Sequence, residues 1–266
     1  MPNVLLNGFD LSYDDVGTGR ALVLLHGYPF NRSMWGEQID FLKSRYRVIA
    51  PDLRGLGLSG LGSNTSSGMD EMAGDVIALL DHLNIDRAII GGLSMGGYVT
   101  LALYKLFPLR VRAMILADTR AQADTDEIRT NRYQQAERIT DEGMNAVVDS
   151  LLEKSLAPAT FEQNPDVVTF TRNMIVNTNP AGAVSALHGM ATRRDYTYFL
   201  PQIFPPVLIV VGSEDKIAPL ADAKLMHHEI RGSRLVVIDG AGHISNLEAP
   251  DQFKIALENF LQTLEV

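Results

Sequence analysis

The chain has 266 residues, 46% of them hydrophobic and 21% charged, with a formal net charge of −9 and no cysteine. Those figures exclude an intrinsically disordered chain, a disulfide framework and any thiolate or cysteine-ligated metal chemistry. The acidic balance, 32 Asp and Glu against 23 Lys and Arg, gives no footing for nucleic acid or an anionic membrane surface.

The opening MPNVLLNGFDLSYDD has neither a basic start nor a long apolar run, so it does not read as a signal peptide. No stretch has the apolar length to span a bilayer, and the expected location is cytoplasmic. VLLNGFDLSY reads as a hairpin turning at Asn7-Gly8, a strong turn pair. Short continuous apolar runs follow at 21–26, 47–51, 87–92, 113–118, 206–212 and 234–239. Such runs suit strands covered on both faces, as in a parallel sheet. Helical spacing of apolar residues appears at 69–83, 95–107 and 249–264. Strand and helix alternate, which predicts an α/β fold with a mostly parallel sheet. The interval 119–200 breaks the alternation with capped helical segments and no clear strand. It is expected to be a helical insertion between two sheet strands, resting on a core formed by residues 1–118 and 201–266 rather than forming an independent domain.

Residues 89–99, IIGGLSMGGYV, place Ser94 between glycines where a strand run gives way to a helical one. That context suits a sharp turn which exposes a serine and lets strand and helix pass close together. A serine hydroxyl needs a base. Of six histidines, His243 in DGAGHISNLEAP sits in a glycine-bearing loop after an apolar run. His82 falls at a helix end, His227 and His228 on a surface helix, and His188 in the insertion, where it could pack or line a pocket. The base in turn needs a carboxylate to fix its tautomer. Two aspartates stand at strand ends, Asp215 in GSEDKIAP and Asp118 in AMILAD. Chain order fits either; the alternative role for Asp118 is to cap the next segment or position Arg120. Oxyanion donors are expected at the Met95 N–H and in the HGYPF loop, at the Tyr28 N–H, because Pro29 has none. No His, Asp and Glu spacing suggests a metal site.

LLHGYPF, PDLRGLGLS, GGLSMGG, GSEDKIAP and GAGHISNLEAP together resemble, in order, the signature blocks of the α/β-hydrolase fold. The resemblance covers nearly the whole chain, and is strongest to small bacterial carboxylesterases and the group similar to 3-oxoadipate enol-lactonases. It implies a sheet of about eight strands flanked by helices, with the insertion as a helical cap after the sixth. It also implies Ser94 as nucleophile, His243 as base, Asp215 rather than Asp118 as acid, and Tyr28 and Met95 as oxyanion donors. Arg54, Gly55 and Gly57 match a block that shapes a turn after the fourth strand. A serine at position 94 departs from the aspartate of haloalkane dehalogenases and epoxide hydrolases, whose activities are not expected. Ile244 and Ser245 follow the histidine where many relatives differ.

The expected activity is hydrolysis of small, short-chain esters through an acyl-enzyme, without metal or cofactor. Lactone hydrolysis and perhydrolysis are the enzymatic alternatives; a triad-bearing small-molecule receptor is the alternative from another class. Phe30, Trp35, Arg120 and His188 are expected to line the substrate pocket. An acidic substrate would need a local cation, for which Arg120, Arg193 and Arg194 are candidates. The expected partner is a small ester or lactone, and the expected assembly a monomer or small homo-oligomer.

Overall fold

Strand formation follows the apolar runs closely in the computed structural model, which describes residues 2–63 and 67–264. The eight strands are β1 (Asn3–Leu6), β2 (Phe9–Val16), β3 (Arg20–Leu25), β4 (Tyr46–Pro51), β5 (Ala88–Leu93), β6 (Val111–Ala117), β7 (Val207–Gly212) and β8 (Arg234–Ile238). They form one sheet in the order β1-β2-β4-β3-β5-β6-β7-β8. The β1–β2 hairpin turns at Asn7 and Gly8, both at positive φ, and β2 runs antiparallel to β4. The pairs from β4 through β8 are parallel. Every residue of β5 and β7 is buried, which is why these strands read as unbroken apolar runs rather than alternating ones.

The helices are α1 (Gly36–Leu42), α2 (Met69–His82), α3 (Met95–Leu106), α4 (Asp126–Glu142), α5 (Val148–Ser155), α6 (Pro158–Gln163), α7 (Pro165–Val176), α8 (Pro180–Ala191), α9 (Leu220–Glu229), α10 (Ser245–Glu248) and α11 (Pro250–Leu261). The five from α4 to α8 fall between β6 and β7. Small residues seat α8 on the rest of the fold. Gly182, Ser185 and Gly189 recur at i, i+3 and i+7, one face of the helix. A Cβ on Gly182 would meet the Gly55 carbonyl oxygen at 1.7 Å, and one on Gly189 the Ser67 carbonyl oxygen at 1.9 Å. Between them the Ser185 and Ser67 hydroxyls are 2.8 Å apart.

Buried carboxylates shape the turn after β4. Asp52 accepts from the N–H groups of Arg32 and Leu58, each at 2.8 Å, and pairs with the Arg32 guanidinium. Gly57, at φ 56°, lies against that carboxylate with no room for a side chain. Arg54 engages both oxygens of Asp75, at 2.6 and 2.9 Å, and stacks over Phe9.

The chain winds from β3 outward to β4, then returns to place β5 on the other side of β3. Such a reversal opens a crevice at the carboxyl ends of the two inner strands. The loop after β3 and the turn after β5 meet there.

Candidate active site

Ser94 occupies the turn between β5 and α3 at φ 55° and ψ −115°, a conformation that costs energy for any residue with a side chain. Neighbours hold it there. Its N–H donates to the Ala117 carbonyl at 2.9 Å, and the Thr119 hydroxyl donates to its carbonyl at 2.8 Å. The glycines around it remove atoms that would collide. A Cβ on Gly92 would meet the Gly96 carbonyl oxygen at 2.1 Å, and one on Gly96 the Leu25 carbonyl oxygen at 2.2 Å.

The Ser94 hydroxyl lies 2.7 Å from His243 Nε2. His243 Nδ1 faces Asp215, 2.8 Å from Oδ2 and 3.0 Å from Oδ1. Asp215 Oδ1 also accepts from the N–H groups of Ile217 and Ala218, at 2.8 and 2.9 Å. A carboxylate held by so many donors accepts only, so Nδ1 carries the imidazole proton and Nε2 presents its lone pair to the serine. Asp215 and His243 are 5% and 3% exposed, and Ser94 is 8% exposed. The arrangement can draw a proton from the serine hydroxyl.

The loop after β3 is pinned beside this line. His26 Nε2 accepts the Leu53 N–H at 2.9 Å, so its Nδ1 carries the proton and donates to the Gly27 carbonyl, also at 2.9 Å. Burial holds the His26 ring neutral by lowering its pKa. Gly27 packs on the serine: a Cβ there would be 3.3 Å from Ser94 Cβ. Among the described residues, no acceptor takes the Tyr28 or Met95 N–H. Met95 is the first residue of α3, where N–H groups lack intrahelical partners and the helix dipole favours negative charge.

Asp118 is fully buried at the end of β6. Its carboxyl accepts from the Gly212 N–H at 2.8 Å and from the Ser245 hydroxyl at 2.6 Å. It therefore ties the end of β7 to the His243 loop. The expectation that it caps the next segment or positions Arg120 is corrected: Arg120 faces Asp222 on α9, at 3.6 Å. Burial, and then the charge of Asp215, push the Asp118 carboxyl well above the usual range. Glu248 fastens the other side of the same loop. It accepts from the Gly242 N–H at 2.9 Å and from the Ala157 N–H and Thr160 hydroxyl, at 2.7 and 2.6 Å, where α6 begins.

A carboxyl whose pKa is raised on folding binds its proton more tightly in the folded state. Its stabilising effect is complete below about pH 4, the ordinary aspartate value, and is lost as pH rises through the folded value. Asp118→Asn abolishes this pH dependence while an amide can still accept from Gly212 and donate to Ser245. Thermal melting from about pH 4 to about pH 8 will show a shallower decline in the variant than in the wild type. Parallel curves would mean that Asp118 titrates as an ordinary carboxyl.

Three of the residues expected to line the pocket make the following contacts. Trp35 is 1% exposed and packs on Phe253 of α11, with ring centres 6.0 Å apart. His188 stands against Tyr133 across α8 and α4, at 5.6 Å. Arg120 makes the Asp222 pair described above. Phe30 is buried, two residues beyond Tyr28. Arg194 is exposed and pairs with Asp70, whereas Arg193 is buried and pairs with Asp124 at 2.5 Å. Sequence reasoning missed Arg132, which shares Asp124 with Arg193. Its signal was present: Arg132, Ala136 and Ile139 recur at i, i+4 and i+7, and the last two are the buried residues of α4.

A family model for the alpha/beta hydrolase fold matches residues 20–250. The chain belongs to the α/β-hydrolase family. Among curated α/β-hydrolase relatives, 3-oxoadipate enol-lactonase 2 of Acinetobacter baylyi is 32% identical over 241 residues, covering 90% of this chain and 87% of that protein. A thermophilic esterase from Thermogutta terrifontis, solved with malate bound, superposes with a TM-score of 0.96 at 35% identity, covering 100% of this chain and 99% of that one. The enol-lactonase from Burkholderia xenovorans LB400 superposes at 0.91 and 30% identity, covering 98% of this α/β-hydrolase and 100% of its own chain. These relatives are hydrolases. Among the described residues, no helix is long and apolar enough to cross a membrane.

Proposed function

We propose that this α/β-hydrolase cleaves small carboxylic esters, with Ser94 as nucleophile, His243 as general base and Asp215 as the acid that orients it. The observation that carries the reading is the 2.7 Å contact from the Ser94 hydroxyl to a His243 whose other nitrogen is held by Asp215. His243 takes the hydroxyl proton as Ser94 attacks the ester carbonyl. The carbonyl oxygen gains charge and is met by the Tyr28 and Met95 N–H groups at the positive end of α3. His243 then gives its proton to the departing alkoxide. Water enters, loses a proton to the same nitrogen and releases the acid, restoring Ser94.

Turnover of a p-nitrophenyl series from acetyl to decanoyl tests the reading. Hydrolysis fastest at the short acyl chains, with a pre-steady-state burst from acyl-enzyme accumulation, is the expected result. Absence of multiple turnover on every member would sink it, and slow single turnover would favour a receptor. Two enol-lactonase relatives support lactone hydrolysis as a second reading. Base-titrated hydrolysis of γ-butyrolactone decides between them: a larger kcat/KM than for the best ester would put the lactone first.

A further inference from the structure

Residues 242–248 close on themselves around His243. The Glu248 side chain, at the end of α10, reaches back to the Gly242 N–H, which lies 2.9 Å from Oε1. The other oxygen, Oε2, turns to the helical insertion between β6 and β7. It accepts the Ala157 N–H and the Thr160 hydroxyl, at 2.7 and 2.6 Å. His243 makes a second tie in the same direction: its own N–H donates to the Ser155 carbonyl, at the end of α5, at 2.9 Å. Backbone meets backbone along this line. A Cβ on Gly242 would stand 2.6 Å from the Ala157 nitrogen and 2.9 Å from the Leu156 carbonyl carbon. On the core side, a Cβ on Gly212 would stand 2.1 Å from the Gly242 carbonyl oxygen and 2.3 Å from that of Ala241. The loop bearing His243 is thus gripped between the end of β7 and the insertion.

The chemistry of the tie separates it from ordinary packing. Burial pushes the Glu248 pKa up against its hydrogen bonds, and among the described residues no ion pair matches its charge. Neutral donors hold it instead. A buried carboxylate without a counter-ion is a costly way to gain stability. What it supplies is direction, because each oxygen fixes a different segment. Oε1 fixes the residue before His243, and Oε2 fixes the insertion. Asp118 holds the loop from the core through Ser245, two residues beyond His243. The base therefore sits between two clamps, and Glu248 is the one that reaches the insertion.

We infer that Glu248 is a positioning residue for His243, and that Ala157 and Thr160 act through it on the base. The inference rests on the reading of His243 as general base and deepens it, because the insertion then takes part in placing the catalytic group. Displacing a reacting group by about 1 Å can cost ~10²-fold in rate, so a tie of this kind is felt in turnover.

Three variants test it. Glu248→Gln keeps the shape but offers one acceptor oxygen in place of two. Thr160→Val keeps the volume and removes one donor; Thr160→Ser restores the hydroxyl. Acylation and deacylation both need the base, so slowing them alike lowers kcat and leaves KM in place. On p-nitrophenyl acetate, kcat is expected to fall about 30-fold or more in Glu248→Gln and about 5-fold or more in Thr160→Val. KM should stay within about twofold of wild type, and Thr160→Ser should recover kcat to within about twofold. The nitrogen chemical shifts of the His243 ring, read through its non-exchanging ring protons and assigned against His243→Ala, are expected to move in Glu248→Gln and Thr160→Val and to return in Thr160→Ser. A merely structural Glu248 would lower the melting temperature while the folded protein kept its kcat and its ring shifts, and that result would overturn the positioning role. So would a rise in KM that accounts for the lost activity, since these residues would then be touching the substrate. If the wild type turns over no ester, the general-base reading fails by itself and the ring shifts judge the tie: moved by Thr160→Val and restored by Thr160→Ser supports it, unmoved overturns it. If Glu248→Gln does not fold, the two Thr160 variants carry both readouts.

Discussion

Replacing Ser94 with alanine is expected to lower kcat/KM for ester hydrolysis by ~10⁴-fold or more, because in the proposed mechanism nucleophile and base act as one unit and neither works alone. The stability of the same variants separates chemistry from backbone strain. At φ 55° and ψ −115° a side chain is held in a disfavoured region, which costs of order 1–3 kcal/mol. Alanine keeps the Cβ and therefore the strain. Glycine removes both, at an entropic cost of roughly 0.5–1 kcal/mol. Ser94→Gly is thus expected to be as inactive as Ser94→Ala yet more stable than the wild type by about 1 kcal/mol, or roughly 2–4 °C in Tm. Steady-state kinetics and thermal melts on the three proteins check both halves. Activity in Ser94→Ala within about tenfold of wild type would move the chemistry elsewhere. A Ser94→Gly no more stable than the wild type would mean that the turn is not strained.

The parts of this site that were legible in the sequence are those written locally. GGLSMGG signals its turn within seven residues, because the glycines, the preceding strand and the following helix are contiguous. The strand ends were legible for a similar reason: buried parallel strands are short apolar runs, and functional side chains follow their carboxyl ends. Spacing alone did not separate Asp118 from Asp215, since both end a strand. Only the resemblance did, and the structure gives the His243 hydrogen bond to Asp215 while Asp118 holds Gly212 and Ser245. Contacts between distant segments were illegible. Trp35 meets Phe253 more than two hundred residues away, and no local pattern announces that. Arg132 was written in the sequence, as a cation on the inward stripe of a polar helix. Its contact with the Met190 sulfur on α8, fifty-eight residues away, was not.

Gly96 to alanine will destabilise the fold by about 3 kcal/mol or more, the upper end of overpacking costs. The added carbon would stand 2.2 Å from the Leu25 carbonyl oxygen, 2.7 Å from its carbon and 2.9 Å from the His26 oxygen. All three are backbone atoms at the end of β3, which is hydrogen-bonded on both sides within the sheet. No side chain can rotate to make room, so α3 must tilt away from β3. That tilt separates the Met95 N–H from the loop carrying the Tyr28 N–H, and the proposed mechanism needs both on one oxyanion. Activity should therefore fall along with a Tm lower by roughly 6–12 °C. Gly74, in the middle of α2, supplies the control: a Cβ there meets nothing within 4 Å. Ala is the better helix former, so Gly74→Ala is expected to raise stability by about 0.4–1 kcal/mol with kinetics unchanged. Opposite signs from one substitution would separate close approach from helix propensity as the reason for each glycine. A Gly96→Ala protein that melts and turns over like the wild type would mean that α3 and β3 are free to part, and that Ser94 is positioned by something other than their contact.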